Sequence, residues 1–274
     1  MTAQHVTWAE AERIGERLSQ RDWAVLRSLA AVRVLTGDQL TRLHFQDLSS
    51  RTRERVRRRV LARLTELQIV ARLGRAVGGV RAGSSGWVYA LDVAGQRLAQ
   101  LDRGQRDDTG RLRRAWTPSV LFLGHSLAVA ELYVRLVEQA RGAAFTVAAF
   151  QAEPACWWPD GLGGFIKPDA FVALSTERFD ELVWLEVDRG TESLPTLRRK
   201  LHGYLDFVER GQLGPRDAVP QVVVAVPDEH RYSGVQGLVQ RFAGDIDGLF
   251  TVVTFSKTAD YLTGLTLSQS NRPP

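Results

Sequence analysis

The segment 51–67 places seven arginines and an apolar stripe on one predicted helix, and this combination constrains the fold more than any other part of the chain. At about 100° per residue, the apolar residues gather on one face of the helix. They are Val56, Val60, Leu64 and Leu67, and the arginines roughly opposite are Arg51, Arg55, Arg58 and Arg59. The apolar face would pack on a core, while the guanidinium groups could reach phosphates and guanine edges of duplex DNA. The alternative is that these arginines only solvate an outer face.

The segments around this helix predict a winged helix-turn-helix. Strand-like segments follow the helix on both sides of a Gly-rich turn that carries Arg75 and Arg81. The flanking elements are predicted helices 22–33 and 37–45 and predicted strands 69–73 and 87–91. We therefore expect a domain that binds double-stranded DNA through the four helix arginines and the two arginines of the wing.

Charge is distributed unevenly along the 274 residues. Residues 1–115 carry 22 Lys and Arg against 12 Asp and Glu, a net +10, whereas the remainder carries 14 against 19, a net −5. A basic first part and an acidic second part are typical of a DNA-binding module joined to a carboxylate-bearing domain. Uneven surface charge without function is the alternative.

The composition excludes several other classes of protein. A hydrophobic content of 44% and a charged content of 24% are those of a globular chain, not a disordered one. The single Cys156 excludes an internal disulfide and a multi-cysteine zinc site. No uninterrupted apolar run reaches the roughly 18 residues of a bilayer span, and no signal-peptide pattern is present. We expect a cytoplasmic protein that does not associate with membranes.

The second part of the chain predicts an α/β sheet with helical cover, so that the protein is α+β overall. We expect the winged helix and its linker over 1–110, the second domain over 111–264 and a disordered tail over 265–274. The predicted order is αβββαβαβ: helix 118–141, strands 145–151, 170–174 and 182–188, helix 194–210, strand 221–226, a helix near 235–244 and strand 250–255.

Three carboxylates stand at the ends of two of these strands. Asp169 opens one strand, and Glu186 and Asp188 close the next, so a hairpin would bring Asp169 close to Glu186. Residues 186 and 188 are two apart and are expected to point to the same face of the strand. Such an oxygen-rich pocket suits Mg²⁺ or Mn²⁺, which could activate water for phosphodiester cleavage. The alternative is a polar strand end that forms salt bridges.

This arrangement resembles the PD-(D/E)xK nuclease superfamily, the restriction-endonuclease-like fold with αβββαβ order. The resemblance implies that Asp169 and Glu186 are the metal-binding acids and that Glu131, on the preceding helix, is the additional helix acid of some members. Asp188 occupies the position of the motif lysine, a departure that leaves catalysis open. Some members carry the lysine on the following helix, where Lys200 lies, and Lys167 is a weaker substitute.

Two longer segments are similar to the replication-relaxation family of plasmids and integrative elements. They are KPDAFVAL at 167–174 and WLEVDRGTESLPTLRRKLHGYLDF at 184–207. The resemblance implies a role in plasmid replication or DNA relaxation, as an accessory to a relaxase or a replication initiator, with a nuclease-like domain that nicks DNA. The alternative is a regulator without enzymatic activity, either a homodimeric operator-binding protein or an antitoxin-like repressor, in which the nuclease-like domain is degenerate.

Overall fold

The protein is mixed α/β and divides into two compact units. The structure, a computed structural model, describes residues 6–75, 86–106, 119–241 and 248–270. Its units are Met1–Val134 and Arg135–Pro274. The boundary predicted near residue 110 lies outside the described residues, and the observed division falls later, inside a long helix. Leu123 and Leu127 of that helix pack against an apolar cluster of the first unit, which explains the later division.

The first unit begins with helices whose ends are marked by capping boxes. Ser19 and Asp22 cap one helix reciprocally, and Thr36 and Gln39 cap another. In chain order the elements are α1 (Trp8–Gly15), α2 (Gln20–Val32), β1 (Val34–Thr36), α3 (Gly37–His44), α4 (Ser50–Glu66), β2 (Val70–Arg75), β3 (Trp87–Leu91) and α5 (Val93–Asp102). The three predicted helices before the hairpin are thereby confirmed as α2, α3 and α4, whereas α1 and β1 were not predicted.

The three strands form an antiparallel sheet in the order β1-β3-β2. Val34 pairs with Ala90 and Val70 pairs with Leu91, so β3 lies between the other two strands. A three-residue strand such as β1 has too few residues to show an alternating pattern, which is why the sequence did not predict it.

Helix α6 (Val120–Ala140) belongs to both units along its length. Among the described residues it is the one helix that is long and apolar enough to cross a membrane, a judgement on length and composition alone. Its contacts within the first unit are those of a helix in a folded core. The Tyr133 hydroxyl lies 3.1 Å from the Ser28 hydroxyl, and Arg42 donates to Glu131 at 2.9 Å.

The second unit is built around a five-stranded sheet of order β10-β9-β8-β7-β4. After α6 its elements are β4 (Thr146–Ala152), β5 (Trp158–Pro159), β6 (Phe165–Ile166), β7 (Ala170–Ser175), β8 (Asp180–Val187), α7 (Leu194–Glu209), a 3₁₀ turn (Pro215–Asp217), β9 (Gln221–Val226), α8 (Glu229–Val239), β10 (Phe250–Thr254), a 3₁₀ turn (Phe255–Lys257) and α9 (Thr258–Ser270). The predicted αβββαβαβ order agrees with α6, β4, β7, β8, α7, β9, α8 and β10.

The sheet is antiparallel on one side of β8 and parallel on the other. β7 pairs antiparallel with β4 and β8, with Ala170 opposite Leu185, while β9 pairs parallel with β8 and β10. Helix α7 covers this sheet through a buried aromatic cluster of Trp184, Tyr204 and Phe207. The ends of β7 and β8 nearest Ala170 and Leu185 are therefore fixed by hydrogen bonds and by the core beneath α7.

Two boundaries in this unit differ from those predicted. Helix α8 begins at Glu229, earlier than the predicted helix, because the Asp228 side chain accepts from the Arg231 N–H and caps it. The tail predicted as disordered from residue 265 is helical to Ser270 as the end of α9. Leu262 is completely buried and Thr266 nearly so, and this burial stabilises a helix that the sequence pattern does not indicate.

Candidate functional site

The ends of β7 and β8 bring two of the predicted acids together. Asp169 immediately precedes β7, and its backbone N–H donates to the Leu185 carbonyl of β8 at 3.0 Å. Glu186 follows Leu185, so the two carboxylates emerge next to each other. Both are buried, Asp169 to 7% exposure and Glu186 to 2%. The sheet register therefore creates a buried pair of acids.

Helix α7 supplies the cation that this pair requires. The Lys200 Nζ lies 3.2 Å from Asp169 Oδ1 and forms a closer ion pair with Glu186 Oε2. Its side chain retains 29% exposure, against 10% for that of Asp169 and 2% for that of Glu186. Asp169, Glu186 and Lys200, each singled out from the sequence, meet at one point of the second unit.

Each carboxylate has a second hydrogen bond that anchors it to the fold. Asp169 Oδ2 accepts from the Val187 N–H at 2.7 Å. Glu186 Oε1 accepts from the Tyr204 hydroxyl, one turn after Lys200 on α7. From the sequence, Tyr204 was predicted on the inner face of this helix and within the segment similar to the replication-relaxation family, but no contact with the acids was predicted for it. Its four-residue spacing from Lys200 was the available signal.

Burial and charge act together on the acid–base properties of the site. Burial raises the pKa of Glu186 to about 8, although the Lys200 ammonium opposes the rise. Burial by itself would lower the pKa of Lys200, but Glu186 and Asp169 outweigh it and raise that pKa above its ordinary value. Burial, followed by the charge of Glu186, raises the pKa of Tyr204 well above its usual range. Lys200 is therefore charged and Tyr204 is a neutral donor at neutral pH, and Glu186 loses its proton to complete the ion pair as pH rises through about 8.

Asp188 does not join the other two acids, and the predicted convergence of three carboxylates is wrong. Its Oδ2 pairs with Arg231 Nε of α8, and its Oδ1 accepts from the Gly190 N–H at 2.7 Å. Arg231 also donates to the Glu192 carbonyl at 2.8 Å. The alternation rule holds within a strand, but Asp188 lies beyond the last residue of β8, where an arginine from another helix determines its orientation. In the part of the chain that the structure describes, no group of three or more Asp, Glu, His or Cys side chains could hold a metal ion.

The profile of the replication-relaxation family matches residues 26–223, well over half of the chain. The chain belongs to the replication-relaxation family. This membership indicates a role in the replication or relaxation of plasmid or mobile-element DNA. The matched region runs from α2 to β9 and includes both acids and Lys200. No curated protein and no solved structure matches the chain significantly.

In this replication-relaxation protein, Glu131 has partners in the first unit. Arg42 donates to both of its carboxylate oxygens, at 2.9 and 3.0 Å, and Gln39 donates to one of them at 3.1 Å. These bonds tie α3 to α6. The structure thus gives Glu131 a role in packing, and the metal-binding role implied by the nuclease resemblance stays a prediction.

Lys167, the weaker substitute for the motif lysine, contacts an aromatic ring. Its Nζ lies 4.8 Å from the centre of the Trp157 ring, a cation–π contact. Nearby, the Cys156 thiol donates to the Pro168 carbonyl, and burial raises the pKa of Cys156 to about 12. The thiol is therefore protonated and unreactive at neutral pH.

Helix α4 separates its arginines into two sets. The four predicted to face outward are exposed: Arg51, Arg55, Arg58 and Arg59. Of these four, Arg58 also donates to Glu54, at 2.8 Å. The other three donate to groups elsewhere in the unit: Arg53 to the Leu48 carbonyl, Arg57 to Thr41 and Glu54, and Arg63, which is itself exposed, to Asp22. Leu61 and Leu64 are the buried apolar residues of the helix, so the predicted inner face is rotated slightly. The exposed set forms a cationic surface on one side of the first unit.

The side chains of both arginines predicted for the wing lie outside the described residues. Arg75 ends β2, but its side chain lies outside the described part of the chain, as does the whole of Arg81. At the base of the same hairpin, the Arg72 guanidinium stacks on the Trp87 ring at 4.5 Å. Arg72 and Trp87 are exposed, so this base adds a further cation to the side of the hairpin.

Proposed function

We propose that this protein is a DNA-binding accessory factor of plasmid or mobile-element replication or relaxation, and that its second unit nicks DNA with Mg²⁺ or Mn²⁺. The observation that carries the nicking activity is the meeting of Asp169, Glu186 and Lys200 at the end of a hairpin. A cytoplasmic location and a relaxase or replication initiator as partner belong to the same proposal.

The first unit supports DNA binding through its topology and its charge. Three helices, α2 to α4, precede a two-stranded hairpin, and a short strand between α2 and α3 completes a sheet of order β1-β3-β2. This order of elements supports a winged helix-turn-helix, in which the third helix would lie in the major groove of DNA. The exposed arginines of α4 are then the residues that contact phosphates and base edges.

The second unit supports a PD-(D/E)xK-type domain through the order of its elements. Helix α6 and strands β4, β7 and β8 precede α7 and β9, with the acids on the antiparallel hairpin and the lysine on the following helix. The position of the motif lysine holds Asp188, and Lys200 supplies the cation from α7 instead.

The donor set fits a divalent metal. Mg²⁺ is commonly held by one or two carboxylates together with water and substrate phosphate oxygens. Asp169 Oδ1 and Glu186 Oε2 would be the protein's ligands, and the metal would displace the Lys200 ammonium from its contact with these two oxygens. When bound, such a metal supplies an activated water and stabilises the departing oxygen. Lys200 places a positive charge beside the acids, where it can contact a phosphate oxygen of the DNA.

Incubation of supercoiled plasmid with the purified protein and Mg²⁺ or Mn²⁺ tests this proposal. Conversion of supercoiled to open-circular DNA that depends on the metal and disappears with EDTA is the expected result. Failure to nick with either metal, by protein that binds duplex DNA, would show that the site is not a nuclease.

A second candidate function is a homodimeric regulator without enzymatic activity. The observation that favours it is that both oxygens of each buried acid already have donors within the protein: Val187 and Lys200 for Asp169, and Tyr204 and Lys200 for Glu186. This candidate predicts a symmetric footprint on an operator and no heat of Mn²⁺ binding in calorimetry. It also predicts that Glu186→Ala affects only stability.

A further inference from the structure

The two oxygens of Glu186 have different partners that come from the same face of α7. Oε2 pairs with Lys200, and Oε1 accepts from the Tyr204 hydroxyl. Lys200 and Tyr204 are four residues apart, so they lie one turn apart on the same face of the helix. One helix face therefore determines the orientation of the whole Glu186 carboxylate.

Tyr204 is held rigidly where it makes this contact. Its side chain is 1% exposed, and its ring centre lies 5.5 Å from that of Trp184 and 6.5 Å from that of Phe250. A buried hydroxyl needs an acceptor, and Glu186 provides it. Because packing fixes the ring, the hydroxyl cannot follow Glu186 if the carboxylate rotates away.

We propose that Tyr204 is a positioning residue of the candidate metal site: its hydroxyl holds Glu186 Oε1, so that Oε2 faces the Lys200 ammonium, at the place beside Asp169 Oδ1 that a divalent cation would take. The proposal rests on the metal-dependent function proposed above. Val187 orients Asp169 in the same way. Its N–H donates to Asp169 Oδ2, which leaves Oδ1 to contact Lys200. Tyr204 differs in being a side chain, so it can be changed without altering the backbone.

The test compares two tyrosines of the second unit that each lose only a hydroxyl. Tyr204→Phe keeps the ring contacts and removes the donor to Glu186. Tyr261→Phe is the matched control, because the Tyr261 hydroxyl lies 3.2 Å from both Gln221 Oε1 and the Thr251 hydroxyl, with which it forms hydrogen bonds, and none of these residues belongs to the site. Both variants are made in the full chain, and their melting temperatures report folding. Tyr204→Leu, which also lacks the hydroxyl, is used if Tyr204→Phe does not fold.

Titration calorimetry with Mn²⁺ alone and plasmid nicking over a range of Mn²⁺ concentrations are the readouts. We expect Tyr204→Phe to weaken Mn²⁺ binding about 10-fold or more, the typical effect of removing a group that orients a metal ligand. Nicking should need correspondingly more Mn²⁺ and recover when Mn²⁺ is raised, which a general loss of structure would not do. Tyr261→Phe should behave as the wild type in both measurements.

The outcomes separate this proposal from the function on which it rests. If the wild type binds Mn²⁺ and Tyr204→Phe binds it equally well, Tyr204 does not position Glu186 and the metal site stands. If the wild type neither binds Mn²⁺ nor nicks plasmid, the metal-dependent function is wrong, and the positioning role is overturned with it.

Discussion

Helices α4 and α7 both carry cations beside an apolar face, but the cations meet different surroundings. On α4, Arg51, Arg55 and Arg59 are exposed. On α7, the Lys200 ammonium contacts two carboxylates that are almost completely buried. An exposed cation is available to an external polyanion, whereas a buried acid must be paired within the protein. The groups that a cationic side chain contacts therefore determine its function, and the periodicity of the helix that carries it does not.

The largest expected effect is at the buried acids. Asp169→Asn removes one of the two carboxylates, and nicking should fall at least about 100-fold, since loss of a ligand should exceed the 10–100-fold typical of its supporting groups. Duplex binding should be unchanged, because the exposed arginines are on the first unit. Asp206→Asn, an exposed acid on α7, is the control. Equal nicking by Asp169→Asn and wild type would place the activity elsewhere.

A comparable loss is expected in DNA binding when the exposed arginines of α4 are removed. If each contacts one phosphate, the four together account for about a 100-fold fall in affinity between 50 and 200 mM salt. Alanine at all four positions should remove that salt dependence, as fluorescence anisotropy with a labelled duplex would show. Alanine at two other exposed arginines, Arg13 on α1 and Arg17 just after that helix, measures how much a loss of positive charge elsewhere on the unit weakens binding. Unchanged low-salt affinity of the fourfold variant would contradict the assignment.

A smaller effect is expected in the pH dependence of stability. Burial raises the pKa of Glu186 from an ordinary 4.5 to about 8, so the folded chain keeps a proton that the unfolded chain releases. The resulting stabilisation is complete below the unfolded value and is lost as pH rises through about 8. Its slope is at most about 1.4 kcal/mol per pH unit.

Glu186→Gln should remove this component. Urea unfolding of the wild type and of Glu186→Gln between pH 5 and pH 8 would measure the difference in slope directly. Parallel pH profiles for the two proteins would show that Glu186 does not titrate with a raised pKa.

The smallest expected effects separate the two sets of arginines within α4. Arg63 donates to both oxygens of Asp22, which is completely buried, and Arg63→Ala should lower the free energy of unfolding by about 1–3 kcal/mol. Arg59 is exposed, so Arg59→Ala should change the free energy of unfolding by less than about 0.5 kcal/mol. Thermal or urea denaturation measures the free energy of unfolding of both variants. Equal losses would show that the contact of Arg63 with Asp22 stabilises the fold no more than Arg59 does.

Much of the fold could be predicted because its longer elements have clear periodicity. The helices α2, α3, α4, α6 and α7 and the strands of the larger sheet were expected from apolar spacing. The short strand β1 and the helices α1 and α9 were missed. Their stability comes from capping and burial, such as the burial of Leu262, and not from a strong pattern of their own.

The candidate site was predicted only in part, because some of its contacts depend on residues far apart in the chain. Asp169 and Glu186 follow from the strand pattern, and Lys200 was named as the lysine on the following helix. Asp188 was assigned to the wrong cluster, because its partner Arg231 lies far along the chain on α8. The contact of Tyr204 was missed because its residue type alone indicated core packing.

The sequence by itself determined the charge division, the order of the longer elements and the exposure of Arg51, Arg55, Arg58 and Arg59 on α4, since these depend on composition and local periodicity. The tertiary structure decided which acids share a cation. Lys200 reaches Asp169 and Glu186, whereas Arg231 takes Asp188, because those pairings depend on sheet register and on how α7 and α8 pack. Buried charges need partners, and only the folded chain specifies which partner is within reach.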